Sequence, residues 1–228
     1  MKSGSIVPAL VSRALLFGVF VGGGAYAHAG DLGAVRMPDG RIAPASTVIG
    51  LEVSPSVHAT TTSSHDAGSY DDTSLTLSLS HRFATDFVVN GSAEWQLNKG
   101  GSQQAFIEGG VGYALRAGRF TLTPSAALGT TFEDTGFGPN GDNQAFYYAL
   151  YLAGDLDLDA HWTWNAFKLR YRDAFDYEWA TPEVKTGITY HFDAATALYG
   201  TGSYSWKNSG DGFKGDSISL AFGLKHAL

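Results

Sequence analysis

From residue 47 to the end of the chain the apolar side chains fall on every second position, and the pattern recurs about ten times. A period of two belongs to an extended strand whose two faces meet unlike surroundings, because successive side chains point to opposite sides of the pleat. Leu75, Leu77, Leu79 and Phe83 alternate with Ser74, Thr76, Ser78, Ser80 and Arg82. Likewise Phe120, Leu122, Pro124, Ala126, Leu128 and Phe132 alternate with Thr121, Thr123, Ser125, Ala127 and Thr131. The spacing predicts strands over 47 to 59, 73 to 83, 87 to 98, 104 to 116, 119 to 132, 144 to 157, 161 to 172, 180 to 192, 196 to 207 and 216 to 228. No stripe of helical period competes with them.

The connections alternate in kind. Ala84-Thr85-Asp86, Ala117-Gly118, Leu158-Asp159-Ala160 and Asp193-Ala194-Ala195 are tight, whereas 60 to 72, 99 to 103, 133 to 143, 173 to 179 and 208 to 215 are longer and rich in Gly, Ser, Asp and Asn. Short turns on one rim, long loops on the other and an even strand number are the signature of a transmembrane barrel. Phe83, Phe87, Phe120 and Phe192 sit near the short turns, and Trp95, Phe132, Phe146, Tyr171 and Trp206 near the long loops, as two interfacial girdles would. A soluble sandwich or lipocalin-like barrel would turn its apolar face inward and need not sort its turns by length. The expected fold is therefore all-β: a transmembrane antiparallel up-and-down β-barrel of about ten strands, following a cleaved signal peptide.

That signal is carried by Lys2 and Arg13 ahead of the apolar run from Ala14 to Val21, then Ala25-Tyr26-Ala27 and Ala27-His28-Ala29. The organisation expected is a signal peptide over 1–29, an N-terminal periplasmic arm over 30–46 containing the turn-forming Met37-Pro38-Asp39-Gly40, and a barrel over 47–228. Nothing downstream approaches the ~18 unbroken apolar residues of a membrane helix. Composition narrows the rest. The 29 Gly lack a three-residue period, which excludes collagen, and 13% aromatic residues exclude global disorder. A net charge of −7 argues against a nucleic-acid partner, and with no Cys there is no thiolate metal site or thiol nucleophile. No cofactor is expected.

In the final strand Ile218, Leu220, Phe222, Leu224 and Leu228 share one face against Ser217, Ser219, Ala221, Gly223, Lys225 and Ala227. This resembles the C-terminal assembly signal of Gram-negative outer-membrane β-barrels, which usually ends in an aromatic where this chain has Leu228. The resemblance implies an outer-membrane location, a lipid environment and insertion by the barrel assembly machinery.

With that fold, function lies on the inward face. The run Phe167-Lys168-Leu169-Arg170-Tyr171-Arg172 points Lys168, Arg170 and Arg172 inward. If the loop at 173 to 179 sets the hairpin, Lys168 lies opposite Lys185 and Arg170 opposite Glu183, with Tyr147 and Tyr151 alongside on the preceding strand. A cationic stripe bordered by phenols suits organic anions, because Arg binds carboxylates bidentately and aromatic rings stack on sugar faces. The run from Lys168 to Tyr171 and Arg172 also resembles, over about ten residues, the basic strands of narrow oligogalacturonate-type porins. Glu94 and Glu108 are about equally far from the loop at 99 to 103 and are expected to face each other across one hairpin. They either meet Arg170 and Lys168 in a salt-bridged plug or oppose them across water.

Enzyme readings find no complete constellation. Ser64-His65-Asp66 has the residue types of a catalytic triad, but sequence neighbours cannot adopt its geometry. The run Asp155-Leu156-Asp157-Leu158-Asp159-Ala160-His161 resembles the paired acids of omptin-family outer-membrane proteases, whose sites lie at the long-loop rim, whereas this run lies at a short turn. No catalytic or metal residue is assigned. Two functions stay open: a narrow passage for small hydrophilic solutes, with anions favoured by the cationic stripe, and a non-conducting structural or surface-interaction barrel with a salt-bridged lumen. The leader makes a direct prediction: the mature chain starts at His28 or Gly30 and sediments with outer membranes, as N-terminal sequencing of fractionated cells will show. Recovery from the soluble periplasm contradicts it.

Overall fold

The computed structural model describes residues 46–137, 142–208 and 210–228. The signal peptide and all but the last residue of the arm lie outside the described residues. The strands are β1 (Ser46–His58), β2 (Tyr70–Arg82), β3 (Phe87–Asn98), β4 (Gln103–Tyr113), β5 (Leu115–Ala117), β6 (Phe120–Phe137), β7 (Asp142–Asp157), β8 (Trp162–Ala174), β9 (Glu183–His191), β10 (Thr196–Asn208) and β11 (Phe213–Ala227). β4 and β5 form one stave interrupted at Ala114, whose N–H leaves the ladder to bond the Asp86 carbonyl at 3.0 Å. The wall therefore has ten staves.

Each strand pairs antiparallel with its neighbours in sequence, and β1 pairs with β11 from Val48↔Ala227 to His58↔Ser217. The ring has no free edge, since every stave has a partner on both sides. A strand of 13 residues, such as β1, β2, β8 or β10, is about 43 Å long at ~3.3 Å per residue and rises about 33 Å at a ~40° tilt. That height covers a bilayer's hydrocarbon layer and both interfaces.

The two faces separate as the alternation requires. Leu51, Leu77, Leu128, Leu150, Leu220 and Phe222 are exposed on the outside, while Ser54, Ser74, Thr76, Ser78, Thr123 and Thr131 are buried within. Phe83, Phe87 and Phe192 are exposed at the short-turn rim, and Trp95, Phe146, Phe175 and Phe213 at the other. Backbone amides are consumed by the ladder, so a wall of this kind can face lipid without unpaired polar groups. The chain is a transmembrane β-barrel, with the short turns periplasmic and the long loops extracellular as outer-membrane barrels have them.

Several strands outrun the sequence pattern. β6 and β7 continue to Phe137 and Asp142, and β10 and β11 to Asn208 and Phe213, so two of the expected long loops are mostly hairpin. Beyond the membrane both strand faces meet water, and the alternation that marks a strand disappears from the sequence while the ladder persists. β8 carries a bulge between Asn165 and Lys168. Strict alternation from Lys168 would turn Trp162 and Trp164 inward; the extra residue returns both to the outside, where they are exposed.

The face assignment is testable at mid-wall. Leu220→Arg, on the lipid side, should destabilise the barrel by about 2–4 kcal/mol, the depth-dependent cost of Arg near the bilayer midplane. Denaturant titration in lipid vesicles measures it. A cost no larger than that of Ser219→Ala would mean that Leu220 does not face lipid.

Candidate functional site

The inward residues of the middle of the barrel bring together charges from five strands. On β8, Lys168 and Arg172 are buried and Arg170 nearly so. Lys168 pairs with Lys185 and Arg170 with Glu183 across the β8–β9 ladder. Two like charges directly opposite repel, and each Lys turns elsewhere. Lys185 Nζ lies 3.6 Å from Glu52 Oε1 and 4.0 Å from Glu183 Oε1. Lys168 Nζ sits 4.8 Å from the centroid of the Tyr151 ring, within range of its negative face. Arg170 Nη2 closes on Glu183 Oε2 at 3.0 Å. A band of Arg170, Glu183, Lys185 and Glu52 thus runs from β8 through β9 to β1.

A second tier lies nearer the extracellular rim. Arg172 Nη2 reaches across the lumen to Glu108 Oε2 on β4 at 3.5 Å. The Tyr151 hydroxyl donates a short hydrogen bond to the other oxygen of Glu108. The Arg172 guanidinium lies 4.7 Å from the Phe106 ring centroid and 4.9 Å from that of Tyr147. Tyr147 is fully buried, its ring flat on the wall over Gly129, where a Cβ would collide with the phenol. The same device recurs in the next quadrant, where Tyr199 covers Gly223 and Lys225 Nζ lies 4.6 Å from its ring. Glycine in these strands makes room for an aromatic from the neighbouring stave.

One sequence expectation is corrected. Glu94 and Glu108 do not face each other: Glu94 pairs with Phe106 and Glu108 with Ser92. The turn closes between Asn98 and Ser102, with Gly101 at φ 83°, which moves the hairpin centre one residue toward β3 and offsets the two acids by two positions. Even offsets preserve the face, so both carboxylates still enter the lumen. Glu94 lies within electrostatic reach of Arg172, Arg170 and Lys185, whereas Glu108 meets Arg172 rather than Arg170 or Lys168. Glu108 is thus held by Arg172 and the Tyr151 hydroxyl, while Glu94 faces the cations of β8 and β9 without entering that contact.

The sequence passed over Glu52, Phe106 and Trp179. Glu52 lies on the polar phase of β1 with Gly50, Ser54 and Ser56, and Phe106 on that of β4 with Gln104 and Glu108, so alternation alone could have found both. Trp179 lies in the β8–β9 loop, where no period marks it.

The acids of the run 155 to 161 serve local structure. Asn165 Nδ2 donates to Asp155 (2.9 Å), Thr163 Oγ1 donates to Asp157 (3.0 Å), and the N–H groups of His161 and Trp162 donate to Asp159 (2.7 and 2.9 Å). Ser64 and His65 are exposed partners within one loop, their side chains 3.2 Å apart, with His65 stacked on His58. Among the described residues no group of three or more His, Cys, Asp or Glu could hold a metal ion.

A closed antiparallel wall, apolar outside and polar within, with girdles at both rims, defines an outer-membrane β-barrel. No protein-family model matches the chain and no curated protein sequence matches it. Among solved structures it is similar to an anion-selective porin from Comamonas acidovorans, with 14% identity, 68% of this chain and 49% of that chain covered, and a TM-score of 0.38. The chain thus spans about half the length of that porin. It is also similar to an outer membrane channel from Pseudomonas putida F1, with 10% identity, 81% and 96% of the two chains covered and a TM-score of 0.48. A third likeness is to the KdgM porin in complex with disordered oligogalacturonate, with 14% identity, 78% and 99% covered and a TM-score of 0.41. Likenesses of this degree assign no solute, and the function has to come from the lumen itself.

The cross-lumen strut predicts an asymmetric mutational response. Glu108→Ala strands a buried guanidinium and should cost about 3–5 kcal/mol, whereas replacing the pair together by Glu108→Gln and Arg172→Met should cost much less. Urea unfolding of the refolded barrel in detergent compares them. Equal losses for the single and double variants would show that the contact contributes no coupling.

Proposed function

We propose that the barrel is a narrow passage for small hydrophilic solutes and that its mid-lumen favours anions. The observation that carries this reading is the convergence of Lys168, Arg170, Arg172 and Lys185 over two adjacent tiers of a lumen ringed by only ten staves. Low-dielectric walls focus the field of such a cluster and enrich counter-ions despite the net negative charge of the chain.

Two features support a wet interior. The Nε groups of Arg170 and Arg172 are buried and have no hydrogen-bond acceptor among the described residues. Buried donors of this kind normally find water or a solute. The inward faces of β10 and β11 carry Thr201, Ser203, Ser217, Ser219 and Ala221, which leave room beside the charged wall. The ring faces of Tyr147 and Tyr151 flank the cations and give an organic anion an apolar surface to slide against. Glu52, Glu94, Glu108 and Glu183 keep the cations from binding an anion too firmly to release it, which conduction through a selective site requires.

The test is entry of solutes into proteoliposomes. Small organic anions should enter faster than cations of equal size through the wild-type barrel, and Arg170→Ala with Arg172→Ala should reduce that ratio several-fold while the protein stays folded. A barrel that admits neither class would establish the salt-bridged, non-conducting barrel instead, and a double variant that loses stability without any change of ratio would show that these cations do not set the preference.

A further inference from the structure

The extracellular approach to the cationic level is covered by a side chain from a loop. The β8–β9 connection is stapled at both ends. Thr181 N–H bonds the Arg172 carbonyl at 2.8 Å on one side. On the other, Asn208 N–H bonds the Ala180 carbonyl at 3.1 Å and Trp206 N–H bonds the Pro182 carbonyl at 2.9 Å. Residues 180–182 thereby continue the line of β9 upward between β8 and β10. At the near end, Phe175 N–H bonds the Phe146 carbonyl at 3.1 Å. Between these anchors the Trp179 N–H donates to Asp173 Oδ1 at 3.1 Å, which pulls the loop back over the mouth.

The indole lies over the lumen. It is parallel to the Phe106 ring, with centroids 6.2 Å apart and an interplanar angle of 7°, and it meets Tyr147 at an angle of 65° with centroids 5.7 Å apart. Phe106 and Tyr147 are the two rings against which Arg172 rests. Phe106 comes from β4, Tyr147 from β7 and Trp179 from the loop after β8, so the three rings cover the sector of the lumen between β4 and β8, directly above Arg172. Arg172 lies one step below, toward the periplasm. A solute approaching Arg172 from outside meets this aromatic cover first.

We propose that Trp179 is the size-determining residue of the passage: its indole sets the largest anion that reaches the Arg172 level, while the charges beneath set the preference for anions. The inference rests on the passage reading and adds to it a separate residue, on a separate element, for size. Size and charge selection then come apart on mutation, because Trp179 carries no charge and Arg172 keeps its pair with Glu108 when the indole is removed.

The experiment compares wild type, Trp179→Ala and Trp179→Phe as refolded full-length mature barrels, by single-channel recording in potassium chloride and by liposome swelling with neutral sugars of graded size. Trp179→Ala should raise conductance at least about twofold and admit larger sugars, with reversal potential unchanged, since the constriction widens without altering the field. Trp179→Phe, which keeps a ring on Phe106, should restore most of the restriction. A silent wild type beside a conducting Trp179→Ala variant overturns the passage reading for the wild-type barrel, the indole then being a complete closure rather than a size limit. A conducting wild type whose conductance and sugar cut-off are unchanged in Trp179→Ala overturns the role of Trp179 and leaves the passage reading intact. Silence in all three overturns the passage reading and this inference with it.

Discussion

Backbone hydrogen bonding in lipid is the constraint on which the remaining structure depends. An unpaired amide or carbonyl in the hydrocarbon layer costs several kcal/mol, so a chain that crosses with strands must close its sheet. The β1–β11 seam completes that closure, running over most of β11 from Val48↔Ala227 to His58↔Ser217. Closure in turn fixes what the side chains can do. Outward positions at membrane depth must be apolar and inward ones must suit a confined interior, which explains why large apolar residues alternate with small or polar ones through most of β1, β2 and β11.

A ring of this size confines its interior charges closely. Cations on β8 and β9 and acids on β1, β3, β4 and β9 are near enough to meet, and they do so by chords across the lumen, Arg172 to Glu108 and Lys185 to Glu52, as well as along the wall, Arg170 to Glu183. Such pairs hold the section of the barrel in shape. Lys168 in addition rests against a phenol ring, that of Tyr151. Phe106, Tyr147 and Trp179 pack together as an aromatic cluster against Arg172.

The wall was legible because lipid imposes a rule on every second residue. Lys168 opposite Lys185 and Arg170 opposite Glu183 follow from alternation and the position of one loop. The Glu94 and Glu108 pairing was misplaced by two residues because a turn centre is decided by which glycine adopts positive φ, here Gly101, and composition does not announce it. Trp162 and Trp164 depend on a bulge that no periodicity marks. Trp179 was invisible for a different reason: its place over the lumen comes from hydrogen bonds to Asp173, Arg172, Trp206 and Asn208, contacts made by a loop with elements on both sides of it. Local pattern thus determines the stave, while turn geometry and long-range backbone contacts determine the fittings inside it.

The central claim is that charged residues at the middle of this barrel line a water-filled route rather than a solid core. The most direct measurement is the reversal potential of the wild-type barrel in a planar bilayer under a potassium chloride gradient. Discrete conductance steps with a reversal potential displaced toward the chloride equilibrium potential are the result this account predicts. A correctly folded barrel that yields no steps, or one whose reversal potential is displaced toward potassium, would contradict it.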